Sequence, residues 1–162
     1  PGAHAVKFDA DPFDELDVRE GSLSVIVGAL VPYIKFMMKN GRDFRILELD
    51  KSTLKQAELP FYLPASEAAS VVPRADNVII TATTLINDTL DGLLRLKKSS
   101  AKLVLVGPTT PLLPQALFER GVDFAGGTLV RDADAVLDII AQAGSGYHFL
   151  GKFADKITIC KG

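Results

Sequence analysis

Apolar residues in this chain fall into short continuous runs separated by stretches of helical spacing, and from Ser22 onward the alternation is regular. Leu23-Ser-Val-Ile-Val-Gly28 has the pattern of a strand, and residues 33–39 that of a helix stopped by Asn40-Gly41. Phe44-Arg-Ile-Leu-Glu-Leu49 is a second strand. Residues 51–64, interrupted by Pro60 and Pro64, read as a loop, and residues 66–71 as a short helix with Ser66 as its cap. The third strand, residues 78–82, ends abruptly in Thr81, Thr83, Thr84, Asn87 and Thr89, after which Leu90, Leu93, Leu94 and Lys97 set a helical period. Lys102-Leu-Val-Leu-Val-Gly107 is a continuous apolar run of the kind buried on both faces of a parallel sheet. Pro108-Thr-Thr-Pro111 makes a turn, and a helix over residues 113–120 stops at Gly121. A fifth strand, residues 122–125, ends in Gly126-Gly127. Residues 133–143 form a long helix closed by Gly144-Ser-Gly146, and Ile157-Thr-Ile159 is a short strand fit to pair at an edge in either direction.

Strands joined by single helices, with right-handed crossovers, predict an α/β fold: a three-layer, doubly wound, mostly parallel sheet of Rossmann-like form over residues 22–162. Residues 1–21 show no sustained period and read as a leader or linker, their acids Asp9, Asp11, Asp14, Glu15, Asp17 and Glu20 as solvated charge. In a doubly wound sheet ligands bind outside the carboxyl ends of the strands. The residues predicted there permit close backbone approach or offer hydrogen bonds: Gly28, Glu48, Thr83, Thr84, Asn87, Gly107, Pro108, Thr109 and Gly127. Glycines at strand ends also make ordinary turns, and Asn87 or Asp88 is equally suited to capping the helix that follows.

Glu48 lies 20 residues after Gly28, the spacing at which a dinucleotide-binding domain places the acid that holds a ribose diol. Gly28-Ala-Leu-Val-Pro-Tyr lacks the second and third glycines of that fingerprint, however, and Pro32 removes an amide where a pyrophosphate would dock. An adenosyl group without a pyrophosphate escapes the objection. Glu48 and Asp50 are the charged pair best placed for a divalent cation, and their hard oxygens suit Mg, Ca or Mn rather than soft heavy metals. The cofactor is thus open between an adenosyl-type ligand and a divalent metal.

Composition narrows the partners. The 162 residues are 48% hydrophobic, enough for one domain with a core. A net charge of -2, with no run of Lys and Arg longer than two, gives no field for nucleic acid. Apolar runs fall short of the roughly 18 to 20 residues that span a bilayer, and the N-terminus lacks a signal-peptide pattern, so a cytoplasmic protein without membrane contact is expected. There is one cysteine, Cys160, and there are two histidines, His4 and His148. Cys160 reads as a small apolar residue and His148 as an exposed or packed loop residue. No Gly-x-Ser-x-Gly elbow or P-loop is present.

Four segments carry a family resemblance: Gly28-Ala-Leu-Val-Pro, Ile79-Ile-Thr-Ala-Thr-Thr-Leu-Ile-Asn-Asp-Thr-Leu90, Val106-Gly-Pro-Thr-Thr-Pro-Leu-Leu-Pro114 and Gly121-Val-Asp-Phe-Ala-Gly-Gly-Thr128. In order and phrasing they resemble a family of unknown function named for "putative heavy-metal chelation", over about residues 20 to 160. The resemblance implies a Rossmann-like C-terminal domain that follows an N-terminal domain similar to the small domain of enolase, with a cleft between them as the site. It also implies metal handling, in some accounts anaerobic corrinoid metabolism. The first 20 residues are too few for such an N-terminal domain, so half of that cleft is expected to come from a separate partner or from a homo-oligomer. The leading expectation is a small-ligand-binding domain in heavy-metal chelation or metallocofactor metabolism. The alternatives are an adenosyl- or nucleotide-dependent transferase or lyase needing a partner subunit, and a non-catalytic interaction subunit.

Overall fold

The computed structural model describes residues 4–110 and 113–162. One eight-stranded sheet runs through them. Its strands are β1 (Ala5–Phe8), β2 (Leu23–Val27), β3 (Asp43–Glu48), β4 (Tyr62–Pro64), β5 (Asn77–Thr81), β6 (Lys102–Val106), β7 (Phe124–Val130) and β8 (Ala154–Cys160). Their order is β1-β8-β7-β6-β5-β2-β3-β4, with every pair from β7 to β4 parallel and β8 antiparallel to both of its neighbours. The helices are α1 (Val31–Lys39), α2 (Ala68–Val71), α3 (Thr83–Ile86), α4 (Leu90–Leu96), α5 (Gln115–Glu119), α6 (Ala133–Ala141) and α7 (Gly146–Phe149). None is long and apolar enough to cross a membrane.

The period of two along each strand explains the three layers. Val25, Val78, Ile80, Leu103 and Leu105 face one side and pack with Val71, Leu90, Leu93, Leu117 and Phe118 from α2, α4 and α5. Ile26, Ile46, Ile79, Val104 and Val106 face the other and pack with Ile34 and Met37 of α1. Both faces of β5 and β6 are therefore buried, which is why these strands are unbroken apolar runs.

The structure corrects five details. Residues 1–21 are not a mere leader: β1 pairs with β8, and a 3-10 turn at Pro12–Glu15 buries Phe13 in the second core layer. Only four residues pair, all exposed, so the segment carries no alternation to read. The 51–64 loop contains β4, a three-residue parallel edge strand; its Pro64 sits where no central ladder is interrupted. Ser66 caps nothing, lying inside a 3-10 turn at Ala65–Glu67 ahead of α2. β7 continues through Gly126 and Gly127 instead of ending there. A Cβ on Gly126 would lie 2.7 Å from Pro12 Cδ, so glycine here admits the N-terminal turn rather than ending a strand. β8 is a seven-residue interior strand, not a short edge.

Candidate functional site

From β2 the chain winds outward to β3 and β4, then returns to the other side of β2 for β5, β6 and β7. The direction of winding reverses between β2 and β5, and the crevice at their carboxyl ends is where such a sheet takes a ligand. A cavity of about 580 Å³ opens there. Gly28, Glu48, Thr83, Thr84 and Asn87, five of the nine residues predicted for the site, line it, together with Thr81, Thr89, Arg95 and apolar walls that include Leu30, Leu47, Leu93 and Leu96.

Gly28 sets the floor. Its φ is +99°, and a Cβ there would lie 2.8 Å from Thr81 Cγ2 and 3.1 Å from Thr81 Cβ. The β2–α1 turn can therefore lie against the end of β5 only with glycine at this position. Thr84 is buried and donates its hydroxyl to the Thr81 carbonyl at 2.7 Å, which ties α3 to the strand. The Thr81 and Thr83 hydroxyls lie 3.1 Å apart. Asn87 is the C-terminal cap residue of α3, and its Oδ1 accepts from Thr89 Oγ1 at 2.7 Å; the Asn87 side chain caps neither α3 nor α4. Asp88, at φ +58°, makes the break between these two short helices.

Glu48 ends β3. Its Oε1 accepts from the amides of Leu49 at 2.7 Å and Asp50 at 3.2 Å, and no described residue bonds to Oε2. Asp50 stands outside the cavity lining and caps a 3-10 turn at Lys51–Thr53, where Oδ1 accepts from Ser52 N at 2.9 Å. Hydrogen bonds from Ser52 hold its carboxyl below the ordinary 3.8. Among the described residues no group of three or more His, Cys, Asp or Glu is arranged to hold a metal ion.

The amides at the start of α1 are already committed. Leu30 N donates to Gly28 O at 2.8 Å, Val31 N to Ala29 O at 2.9 Å, and Tyr33 N and Ile34 N both to Leu30 O at 3.1 Å, while Pro32 has no N–H. This turn therefore offers no row of free donors to a pyrophosphate.

Gly107, Pro108 and Gly127 lie apart from that group, around a second cavity of about 210 Å³ with Asp11, Tyr33, Thr128 and Lys156. Leu30 borders both cavities, and Thr109 lines neither. Pro111, the end of the predicted turn, lies outside the described residues. Tyr33 donates to Asp11 Oδ1 at 2.8 Å and stacks on Phe13 at 4.7 Å. Burial first, then the Asp11 carboxylate, push its phenol well above the ordinary 10.0, so Tyr33 serves as a donor and not as a base. His148 Nδ1 accepts from Ser145 N at 3.0 Å in a capping box at the start of α7. Cys160 sits partly buried on β8, its thiol raised above the ordinary value by burial.

Two features of the site escape a sequence reading. Arg95 stands four residues after Asp91, which looks like a solvated helical ion pair; nothing in that spacing signals a cavity. Asp11 and Tyr33 meet only because the N-terminal turn folds back on the sheet.

Comparison with known proteins gives the class. The chain matches the family described as "Putative heavy-metal chelation" over residues 11–159, and it belongs to that family. An uncharacterized protein of Methanocaldococcus jannaschii is 32% identical over 128 residues, 77% of this chain and 47% of that protein. Two crystal structures of family members with unknown function align closely. That from Desulfitobacterium hafniense has a TM-score of 0.70 at 29% identity, covering 94% of this chain and 57% of the other. That from Pyrococcus horikoshii has a TM-score of 0.81 at 22% identity, covering 96% and 60%. The chain thus spans about half to three-fifths of these relatives. An imine reductase variant from Myxococcus stipitatus in complex with NAD+ aligns at a TM-score of 0.51 and 17% identity, over 76% of this chain and 51% of the other, a likeness of fold alone.

Proposed function

We propose that this chain is a small-ligand-binding Rossmann-like domain whose cavity between β2 and β5 takes an adenosyl-type ligand without a pyrophosphate, in the service of metallocofactor handling. The observation that carries the reading is a half-engaged carboxylate at the end of β3 beside an α1 turn that offers no row of free amides. Glu48 stands at the end of β3 with Oε2 free of bonds to described residues, whereas the amides of the α1 turn are spent on its own carbonyls. A vicinal diol donates to such a carboxylate, and Thr83 and Asn87 supply neutral polar contacts beside it. A volume of about 580 Å³ lies within the roughly 300 to 1,000 Å³ of small-molecule sites.

Metal chelation enters this reading through the ligand or through a partner body, since Glu48 offers one carboxylate at the cavity and Asp50 is engaged by Ser52. The same partner body would supply the catalytic base if the ligand is a substrate. A thermal-shift series of this chain with 5′-methylthioadenosine, S-adenosylmethionine, NAD+ and divalent cations tests the reading. A ligand at 100 times its Kd adds about 2.7 kcal/mol. Stabilisation by the adenosyl compounds and not by NAD+ is expected; stabilisation by NAD+ alone, or by a divalent cation alone, overturns it.

A further inference from the structure

The cavity that the proposed function rests on holds a cation that the fold does not use. Arg95 lies in the last turn of α4, is exposed, and lines the same cavity as Glu48. Its natural partner is Asp91, four residues earlier on the same helix. Asp91 is instead taken by Arg120, whose Nη1 reaches both carboxylate oxygens at 2.9 and 3.2 Å. Among the described residues Arg95 makes neither an ion pair nor a hydrogen bond, the carboxylate nearest to it in the helix being held by Arg120.

The geometry points to an anionic ligand: the compound bound at the β2–β5 crevice carries a carboxylate or a single phosphate that docks on Arg95, with its hydroxyls on Glu48. This rests on the adenosyl reading and narrows it. A guanidinium presents a planar fork of donors that matches either anion in two parallel hydrogen bonds. Beside apolar walls such as Leu93 and Leu96, water screens the pair less than it would on open surface. The helix already provides a partner for Asp91 from α5's C-terminal cap, so Arg95 can engage a ligand without breaking a contact of the fold. Glu48 and Arg95 then give one cavity two opposite charges, which orients a ligand that has a diol at one end and an anion at the other.

The test is calorimetric titration of this chain and of Arg95→Gln with two matched pairs, adenosine against AMP and 5′-methylthioadenosine against 5′-deoxy-5′-(3-carboxypropylthio)adenosine. A charge-assisted contact makes the anionic member of at least one pair bind roughly tenfold or more tightly. The pair that shows the preference identifies the anion as phosphate or carboxylate. In Arg95→Gln the preference is expected to vanish while the neutral member binds as before. Equal binding within both pairs, or a preference that survives in Arg95→Gln, overturns the inference and leaves the adenosyl reading standing. Binding by none of the four overturns both. Because Arg95 is exposed and unpaired, Arg95→Gln is expected to fold, and an unchanged melting temperature checks this.

Discussion

Replacing Gly28 by alanine tests how the cavity floor is built. The residue has φ +99°, and left-handed backbone costs a non-glycine residue about 1 to 2 kcal/mol. The new Cβ also meets Thr81 Cγ2 at 2.8 Å and Thr81 Cβ at 3.1 Å, and overpacking of this kind costs about 1 to 3 kcal/mol. Gly28→Ala is therefore expected to lower the unfolding free energy by about 2 to 4 kcal/mol, since the turn gives way in part. The steric share can be separated. Thr81→Ser deletes Cγ2 but keeps the hydroxyl beside Thr83, so the double variant should recover about 1 kcal/mol relative to the sum of the single variants. Urea unfolding of the four proteins, with the slope checked for constancy, reads the cycle. A loss below about 0.5 kcal/mol for Gly28→Ala, or additive single variants, would refute the close approach of the β2–α1 turn to β5.

Three further outcomes are expected. Gly126→Ala drives a Cβ into Pro12 and should loosen residues 5–15, costing about 1 to 3 kcal/mol with faster amide exchange in β1; unchanged exchange there would contradict the packing described. Asn87→Ala should change stability by less than about 0.5 kcal/mol, because its side chain caps no helix, yet weaken adenosyl-ligand binding; a loss of about 1 kcal/mol with binding intact would restore a capping role. Asp76 accepts from Lys98 Nζ at 2.7 Å and from Leu23 N at 2.9 Å, and these bonds, Lys98 first, hold its carboxyl below the ordinary 3.8. A depressed folded-state pKa stabilises above the unfolded value and is lost as pH falls through the folded one. Acid titration of stability should therefore show a loss below about pH 4 that is smaller in Asp76→Asn; an identical profile would contradict the assignment.

The central layers of the fold are legible in the sequence because the physical signal is strong there. β5 and β6 are buried on both faces, so their residues have to be continuously apolar. The peripheral strands are not, for reasons visible in the structure. β1 is exposed throughout, β4 is three residues long with a proline, and β7 carries Gly126-Gly127 because Pro12 packs on it; a sequence reading takes those glycines for a strand end. The site divides in the same way. Gly28, Glu48, Thr83, Thr84 and Asn87 share one cavity because the switch between β2 and β5 brings three strand ends together, and the winding order is what the alternation of strands and helices implies. Gly107 and Pro108 follow the end of β6, Gly127 lies within β7 further along the sheet, and the three open on a different hollow. Arg95 stays hidden because its role depends on Arg120 taking Asp91, a contact between residues 29 apart that no local pattern encodes.

The most direct test of the account is an amide-resolved NMR titration of this chain with 5′-methylthioadenosine. The account places the largest shifts at Gly28, Leu49, Thr83 and Asn87, around the cavity between β2 and β5. Shifts centred instead on Gly107, Gly127 and Thr128, or no saturable shifts at all, would contradict it.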